Sequence, residues 1–531
     1  MKKNGKRMAS IAAVLALTTG MLAGCGGQDR AVEGSADNSG QGQPAGGGTI
    51  SVHYSAGGFG DEWMDAMSQD YKSLTGVTVK WVPSYSTGEI QSLLNSEQEY
   101  NDIVMPLLNM YQAQDAHMLE DLTSVYDAVC DGESRAIKDK MNQTLYEYSL
   151  APDGKRYIMY GSNSVSAFCY NANTLDEAFG VGNWELPRTT DEMLAMSKDL
   201  VSKGYYAFSA CSGINYYWDY LGVVWWAQYE GLEAYNNFYK GMYRNEATGQ
   251  WEQGPEINDA AGRKVALDTL SEFMSLKNGY MHPYAKYMNF EEAQAAFLGN
   301  GYRDDTKKVA FMVNGDWLEN EMFSWLISNP QDIGMMRAPV VSALARKLST
   351  VQTEEKLAAV VAAVDEGASS FEGVSAEDFA AVREARLMGY TATPNYPIGI
   401  PSYRPEEQKQ LAKDFLVYLC SERAQKIYAN KLQGLTMPYG YEVDDTVAAS
   451  DFIRSKLEAF GTDMVPVFPN NSSPMMYRGG LAEFPGVGNA IDSRLIDGET
   501  GDSILAISAQ GMAANWDTYM KALETSQTTA E

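Results

Sequence analysis

Residues 49–82 read TISVHYSAGGFGDEWMDAMSQDYKSLTGVTVKWV, and this stretch decides the fold. Its first six residues alternate between polar and apolar side chains, a pattern that predicts a β-strand. The glycines of residues 57–60 then predict a tight loop. Apolar residues spaced by three or four predict a helix that ends at Gly76, where glycine suits the C-cap. A second strand is predicted at residues 77–82, so the order indicates an α/β unit with a mostly parallel sheet.

Strands and helices continue to alternate further along the chain. The patterns predict these elements: strands at residues 102–105, 205–210, 309–313 and 397–401, and helices at residues 191–200 and 411–419. Residues 341–390 differ, because their apolar spacing predicts helices, and we interpret them as a helical insertion. Within it, Ser375 and Asp378 resemble a capping box that opens the second helix.

Composition restricts the possible partners and chemistry. The chain has 531 residues and a net charge of −28, which argues against nucleic acid and anionic lipid surfaces and favours neutral or cationic ligands. No catalytic or nucleotide-binding motif occurs, so we expect no catalytic residue and no cofactor. The three histidines do not cluster, and no cysteine pair has zinc-type spacing, so we expect no metal site.

The N-terminus carries a secretory pattern. Basic residues within residues 1–7 precede the apolar, uncharged residues 8–22, which are too few to span a bilayer comfortably. The tetrapeptide LAGC that ends at Cys25 resembles the bacterial lipobox. That resemblance implies a signal peptide at residues 1–24 and a diacylglyceryl group on Cys25. The glycine-rich, aromatic-free residues 25–48 predict a disordered tether.

Aromatic residues are abundant, with 10 tryptophans and 33 tyrosines. Their rings have flat apolar faces and a polar edge, which suits the C–H faces and hydroxyl rims of sugars. We expect most of them to belong to the core. Those that follow strand ends are the better ligand-binding candidates, because α/β sheets bind ligands at the carboxyl ends of strands.

Five segments resemble, in the same order, motifs of the extracellular solute-binding proteins of ABC importers. The likeness is to the carbohydrate-binding group that includes maltose-binding protein. The matching segments are residues 71–79 (YKSLTGVTV), 101–104 (NDIV), 168–194 (beginning FCYN), 311–317 (FMVNGDW) and 398–425 (beginning IGIPS). Thr190 stands where the family has a tryptophan, so the third match is partial.

The resemblance implies an α/β fold of the type II periplasmic binding-protein kind, with two hinge-linked lobes and a ligand cleft between them. Lobe one is expected at residues 49–160 and 396–462, and lobe two at residues 161–395 and 463–531. The family usually has a compact segment where this chain carries the insertion at residues 341–390. The role of this insertion, the shape of the cleft rim and the size of the ligand are therefore left open.

The same resemblance implies a set of ligand-binding residues. Trp317 matches a family tryptophan that often stacks on a sugar, and at least one of Tyr216, Tyr217 and Trp218 is expected to line the cleft. The remaining candidates lie near strand ends or crossing segments: Tyr54, Phe59, Glu62, Trp63, Asn109, Tyr111, Tyr396 and Tyr477.

The implied function is a lipid-anchored receptor that captures a carbohydrate, with an oligosaccharide favoured, and delivers it to an ABC permease. We expect a monomer that binds the permease's transmembrane subunits and, through Cys25, membrane lipid, on the extracytoplasmic side of the cell membrane. That side is the outer face in a single-membrane bacterium and the periplasmic side otherwise. A peptide, polyamine or ferric-ion receptor is an alternative. A secreted glycan-degrading enzyme is another, because 69 acidic residues could supply a carboxylate pair.

Overall fold

The structure is a computed structural model, and it describes residues 47–55, 57–84, 87–97, 101–107, 109–211, 217–488 and 491–529. The predicted signal peptide, Cys25 and all but the last two tether residues lie outside these ranges. The strands are β1 Thr49–Tyr54, β2 Thr78–Pro83, β3 Ile103–Met105, β4 Met159–Tyr160, β5 Val165–Asn171, β6 Tyr206–Ser209, β7 Met242–Arg244, β8 Trp251–Gln253, β9 Val309–Gly315, β10 Ile333–Met336, β11 Met388–Thr391, β12 Pro397–Ile398 and β13 Val465–Val467.

Helices surround these strands and are named below by their residues. The α-helices are Glu62–Thr75, Thr87–Asn95, Tyr111–Asp115, Thr123–Asp127, Ile137–Lys140, Gln143–Tyr148, Ala172–Phe179, Thr190–Ser202, Trp218–Glu230, Leu232–Phe238, Ala261–Met274, Phe290–Phe297, Leu318–Glu321, Phe323–Ser328, Leu344–Lys347, Glu354–Asp365, Ala376–Leu387, Glu406–Leu419, Glu422–Lys431, Asp451–Ala459, Pro474–Tyr477, Ile491–Ile496 and Gly501–Thr529. The predicted helices and strands named above are confirmed, with ends that differ by a few residues.

Lobe one is built on a parallel sheet in which β1 lies between β2 and β3. Val52 of β1 pairs with Trp81 on one side and with Ile103 on the other. Val52 and Ile103 are fully buried, so the alternation seen in the sequence does mark the core. The helix after β1 ends at Gly76, whose φ of 77° is left-handed and whose N–H donates to the carbonyl of Lys72, as the sequence predicts.

Lobe two is built on a six-stranded mixed sheet in the order β13-β11-β5-β9-β6, with β10 also paired to β5. β6 runs parallel to β9, but β5 runs antiparallel to β9, β10 and β11. The expectation of mostly parallel strands is therefore confirmed for lobe one and wrong here. The reason is connectivity: β5 follows the crossing from lobe one, and its Ser166 lies beside Gly315 at the carboxyl end of β9.

Two crossing segments join the lobes. β4 pairs with β12 in antiparallel fashion, and Gly399, just after β12, bridges to Val104 of the lobe-one sheet. These positions agree with the predicted lobe limits near residues 160 and 396, which stay predictions.

The helix Asp451–Ala459 lies in the range predicted for lobe one but contacts lobe two. The Met335 N–H donates to Ser455 Oγ at 2.8 Å, and Lys456 forms a buried ion pair with Asp316 at 2.5 Å. We therefore propose a lobe boundary before Asp451.

The predicted insertion is helical, and its end forms β11 of the lobe-two sheet. Ser375 caps the helix Ala376–Leu387 by accepting the Asp378 N–H at 3.1 Å. The reciprocal half of the predicted capping box is absent, because the Asp378 carboxylate accepts from Ser349 Oγ and from the Thr350 N–H instead. The Ser375 N–H donates to Thr350 Oγ1, so the loop before the helix replaces that half of the box.

None of the helices in the described ranges has both the length and the apolar composition that a bilayer crossing requires.

Candidate functional site

The loop that follows β1 brings lobe one against lobe two. Phe59 is buried, and its ring lies 5.9 Å from Trp317, edge to face, and 5.0 Å from Tyr396. A Cβ atom on Gly58 would lie 2.9 Å from the Cβ of Trp317, so a side chain there would push the two lobes apart. Asn320 of lobe two donates its side-chain N–H to the carbonyl of Gly58 at 2.6 Å.

These rings belong to a longer series of contacts. Trp317 lies 5.8 Å from Tyr217, and Tyr217 lies 5.5 Å from Tyr220. Tyr220 stacks on Tyr390 at 4.1 Å with an 18° angle between the rings. We call the full set the aromatic chain: Tyr396, Phe59, Trp317, Tyr217, Tyr220 and Tyr390. It runs from the lobe junction into lobe two.

Little space remains at the junction itself. A cavity of about 30 Å³ is lined by Tyr54, Phe59, Trp63 and Tyr396, among others. That volume admits about one or two waters, since a single water needs roughly 10–15 Å³ on this scale. The lobes are therefore closed on each other at this point.

A second lobe contact joins the helix Tyr111–Asp115 to residues 477–478. The ring of Tyr111 stacks on that of Tyr477 at 6.2 Å. Arg478 Nε donates to Asp115 Oδ2 at 2.7 Å, and the Tyr477 hydroxyl donates to Asp115 Oδ1 at 3.2 Å. Because Asp115 holds the guanidinium, the pKa of Arg478 is raised above its ordinary value. Side chains from both lobes thus close this contact as well.

A cavity of about 350 Å³ lies in lobe two. This falls within the ~300–1,000 Å³ range of small-molecule sites. Its walls come from the helices Trp218–Glu230 and Ala261–Met274, from Tyr390, and from residues 469–519. Tyr220 and Tyr390 belong both to this wall and to the aromatic chain, so the two features are continuous.

The cavity wall carries three carboxylates, and we call it the acidic cavity. Burial and the nearby carboxylates of Asp492 and Glu483 raise the pKa of Asp219 well above its ordinary value, although Asp219 is open to the cavity. Burial also raises the pKa of Glu483 and raises that of Asp492 to about 7. Among the described residues, no lysine, arginine or histidine lines the cavity.

One cation lies behind the wall. Arg263 is fully buried and donates to the carbonyl of Asn258, to Ser508 Oγ and to the backbone carbonyl of Glu483. Its positive charge partly offsets the raised pKa of Glu483. Nothing comparable acts on Asp219 or Asp492, because burial and neighbouring acids dominate there.

The structure places the predicted site residues in several environments. Phe59, Tyr217, Trp317 and Tyr396 come together in the aromatic chain, Tyr54 and Trp63 line the small junction cavity, and Tyr111 and Tyr477 form the second lobe contact. Trp63 also packs on Trp81 and Tyr428, and the Tyr54 hydroxyl donates to Asp61 at 2.7 Å. Glu62 is exposed, Asn109 is half-buried, and Tyr216 lies outside the described residues.

Trp218 lies in the core of lobe two. It is 1% exposed, and its ring meets those of Phe168 at 5.6 Å and Phe208 at 5.2 Å, both edge to face. The expectation that at least one residue of its tripeptide lines the cleft stays a prediction. Tyr217, next to it, has a left-handed φ of 47° and contacts the aromatic chain.

Sequence reasoning missed most of the acidic cavity. The residues it did not select are Asp219, Tyr220, Trp226, Tyr390, Glu483, Phe484 and Asp492. Asp219 and Tyr220 belong to the aromatic-rich run at residues 216–220, which is the signal that the sequence offers for this cavity. Nothing in the sequence distinguishes Glu483 and Asp492 from the other acidic residues.

Other chemistry finds little support in the described ranges. No group of three or more potential ligands lies close enough there to hold a metal ion. Cys130, Cys169, Cys211 and Cys420 are buried, and no disulfide joins them.

Comparison with solved structures identifies the fold. A maltose-bound MalE3 of T. maritima is 15% identical, with a TM-score of 0.56 over 88% of this chain and 99% of that chain. The apo-form of RafE from Streptococcus pneumoniae is 15% identical, with a TM-score of 0.56 over 92% and 100%. A chitin oligosaccharide binding protein is 15% identical, with a TM-score of 0.56 over 89% and 99%. At this identity the likeness establishes the two-lobed α/β fold.

Sequence comparison gives the family. No curated protein sequence matches this chain. The sequence profile of the bacterial extracellular solute-binding proteins, however, matches residues 66–453. Because that match covers well over half of its length, the chain belongs to the family of bacterial extracellular solute-binding proteins.

Proposed function

We propose that this protein is the substrate-binding lipoprotein of an ABC importer, and that it captures a carbohydrate and delivers it to the membrane permease. The family binds solutes outside the cytoplasm, which is the setting that such a receptor needs. Structures with the same fold include proteins described as maltose-bound, in complex with raffinose, or binding chitin oligosaccharides. These likenesses support a carbohydrate as the class of ligand.

The acidic cavity is the single observation that carries the proposal. It is large enough for a small ligand, and it combines the ring faces of Tyr220, Trp226 and Tyr390 with carboxylate oxygens. Rings can stack on the C–H face of a sugar, while carboxylates accept hydrogen bonds from its hydroxyls. The aromatic chain extends this wall to Trp317, so the predicted stacking role of Trp317 is kept as part of the proposal.

Lobe movement is the proposed route for the ligand. The contacts between Phe59 and Trp317 and between Asp115 and Arg478 join the two lobes. When the lobes part, these contacts break and the end of the aromatic chain at Phe59 and Trp317 opens to solvent. A ligand that contacts Trp317 together with lobe-one residues in the closed state favours that state by its differential affinity.

Anchoring through Cys25 is also part of the proposal. The LAGC tetrapeptide that ends at Cys25 supports it. Mass spectrometry of the protein recovered from cell membranes should find a mature chain that begins at a diacylglyceryl-modified Cys25. The Cys25→Ser variant should lose this mass and leave the membrane fraction. An unmodified, soluble wild-type chain would contradict lipid anchoring and leave the binding function untouched.

The binding function is tested by titration with a ligand panel. Tryptophan fluorescence and melting temperature of the purified protein are followed with mono- and oligosaccharides, peptides, polyamines and ferric citrate. We expect a saturable response to one sugar class, with no product released on long incubation. Trp317→Ala should weaken the response. Turnover of a glycan would instead support the enzyme alternative. A response to peptides alone would indicate that the ligand is a peptide and not a carbohydrate.

A further inference from the structure

The acidic cavity contains a carboxylate oxygen that has no partner. Asp492 is 2% exposed and lines the cavity, and its Oδ2 makes no hydrogen bond to any described residue. A buried polar atom without a partner costs roughly 1–3 kcal/mol, and an ionised one costs more. Such an atom on the wall of a cavity of about 350 Å³ is in position to meet a ligand.

Two further acids make the same surface strongly electronegative. Asp219 and Asp492 perturb each other, and Glu483 acts on Asp219 as well. Like charges in a protein interior repel more strongly than in water, because the effective dielectric constant is lower. Burial raises the pKa of all three carboxyls above their ordinary values, and for Asp219 this repulsion adds to the effect.

The charged and titratable groups around Asp492 offer no internal counterion. Those that face it or its carboxylate neighbours are Asp219, Glu483, Tyr220, Tyr239, Tyr390, Tyr519, Cys211 and Arg263. Arg263 is the sole cation among them. Its Nη atoms donate to Asn258, Ser508 and the Glu483 carbonyl, its Nε makes no hydrogen bond to any described residue, and its charge acts on Glu483. A counterion for Asp219 and Asp492 therefore has to come from outside.

The rest of the wall has the composition that recognises an organic cation. Trp226, Tyr220, Tyr390, Phe484 and Tyr519 all line the cavity. The buried Arg263 guanidinium already lies over the rings of Trp226, at 5.6 Å, and Phe484, at 4.8 Å, so Tyr220, Tyr390 and Tyr519 are the rings left for a ligand. The face of an aromatic ring attracts an ammonium group, and the attraction grows when the pair is removed from water. Carboxylates among aromatic rings thus provide both the charge and the apolar surroundings for a protonated amine.

From this juxtaposition we infer that the ligand of the acidic cavity presents a protonated amine to Asp219, Glu483 and Asp492. The inference rests on the proposed function, and within it the ligand is a saccharide with a free amino group. A neutral sugar could supply one hydroxyl to Asp492 Oδ2 but would leave Asp219 and Asp492 without a counterion. An N-acetylated sugar lacks the positive charge in the same way.

The ammonium ion should make binding depend on pH. As pH falls from about 7.5 to about 5.5, Asp492, with its pKa raised to about 7, takes up a proton and loses its attraction for the amine. Asp219 changes in the same direction. Affinity for a ligand whose amines stay protonated across this range, such as spermidine, should therefore fall toward acid pH, whereas affinity for a neutral sugar should change little.

The test is isothermal titration calorimetry of the purified full chain with four probes. These are a β-1,4-linked glucosamine trimer, its fully N-acetylated counterpart, maltotriose and spermidine. At pH 7.5 we expect the glucosamine trimer to bind at least tenfold more tightly than the N-acetylated trimer. We also expect the affinity for spermidine, whose amines are protonated at both pH values, to fall at least several-fold at pH 5.5.

Asp492→Asn keeps the shape of the side chain and removes its charge. We expect it to reduce the preference for the amine at least tenfold and to raise the melting temperature of the free protein at pH 7.5, which verifies folding. Glu354→Gln is the matched control. Burial also raises the pKa of Glu354, but this side chain lies outside the cavity on the helix Glu354–Asp365 and accepts a hydrogen bond from Thr189. It should leave the preference unchanged.

Each outcome decides the inference. If the N-acetylated trimer or maltotriose bound as tightly as the glucosamine trimer or more tightly, the inference of a protonated amine would be wrong and the proposed carbohydrate function would be unaffected. Binding of spermidine without any sugar would support the amine and overturn the carbohydrate. An Asp492→Asn variant with the wild-type preference, or no response to either amine-bearing probe at about millimolar concentration, would overturn the inference.

Discussion

The lobe junction is built from aromatic side chains and leaves a small cavity, whereas the acidic cavity carries three carboxylates and is much larger. At the junction, Phe59, Trp317 and Tyr396 meet ring against ring, and a cavity of about 30 Å³ remains. In lobe two, Asp219, Glu483 and Asp492 surround about 350 Å³. The junction gains stability by closing, because it buries aromatic surface. The acidic cavity loses stability when it is empty, because the Asp492 carboxyl is buried and its Oδ2 makes no hydrogen bond to any described residue.

This difference shows that prominence in the sequence and openness in the structure need not coincide. The aromatic residues that the sequence draws attention to mostly close the lobes or fill the core. The acidic cavity is lined instead by residues that belong to no sequence motif and that only the fold brings together. Functional sites commonly carry such locally unfavourable arrangements, which a ligand can relieve. Four predictions test this difference between the lobe junction and the acidic cavity.

The largest effect is expected at Trp218, a predicted site residue that lies in the lobe-two core. Trp218→Ala removes a ring packed on Phe168 and Phe208 and should lower the free energy of unfolding by about 3–5 kcal/mol. Trp317→Ala should cost the free protein much less, since its ring can reach solvent when the lobes part. Thermal melts of both variants measure this. Equal losses of unfolding free energy would mean that Trp317 is packed at the junction as firmly as Trp218 is in the core.

The second prediction concerns pH and stability. Because burial raises the pKa of Asp492 in the folded state to about 7, the folded protein binds a proton that the unfolded chain releases at lower pH. Stability should therefore decrease as pH rises from about 5 to about 8, by an amount on the order of 2 kcal/mol. Denaturant unfolding across this range checks it, and Asp492→Asn should flatten the profile. If the stability of Asp492→Asn depended on pH as that of the wild-type protein does, the acidic cavity would not be the cause of this pH dependence.

The third prediction concerns closure at the junction. Gly58→Val places a side chain where its Cβ would lie 2.9 Å from that of Trp317, so the lobes should no longer close. We expect ligand affinity to fall about tenfold, or about 1.4 kcal/mol, with little change in the melt of the free protein. Small-angle X-ray scattering should detect a more open shape. Gly461→Val serves as a control for glycine substitution, because Gly461 is not in the left-handed region and its added Cβ would have no neighbour closer than 3.7 Å.

The smallest effect is expected at the second lobe contact. Arg478→Ala removes a partly exposed ion pair with Asp115, worth roughly 0.5–1 kcal/mol. Affinity should fall about two- to fivefold, and the loss should shrink as salt screens the pair in the wild-type protein. Titration at low and high salt measures this. A loss as large as that of Gly58→Val would mean that this contact, rather than the aromatic junction, governs closure.

The local structure was accessible from the sequence because local rules control it. The strand β1, the helix Glu62–Thr75 and its left-handed end at Gly76 follow from alternation, helical spacing and the freedom of glycine. The family resemblance was accessible for the same reason, since its motifs mark the ends of strands. The half-formed capping box at Ser375 shows the limit, because a partner from residues 349–350 took the place of a local one.

The mixed order of the lobe-two sheet was not accessible, because it depends on where the chain enters that lobe. The helix Asp451–Ala459 contacts lobe two through Ser455 and Lys456, although its position in the chain suggested lobe one. Contacts of this kind join residues more than a hundred positions apart. Periodicity within a single element carries no information about such contacts.

The sequence by itself determined the α/β class, the principal strands and helices and the family. All of these rest on side-chain patterns repeated over a few neighbouring residues. Only the tertiary structure decided that Trp218 is core, that Phe59 meets Trp317, and that Asp219, Glu483 and Asp492 share one cavity. The physical reason is that a carboxylate's charge state and a ring's exposure depend on distant neighbours, and folding alone brings those neighbours within a few ångströms.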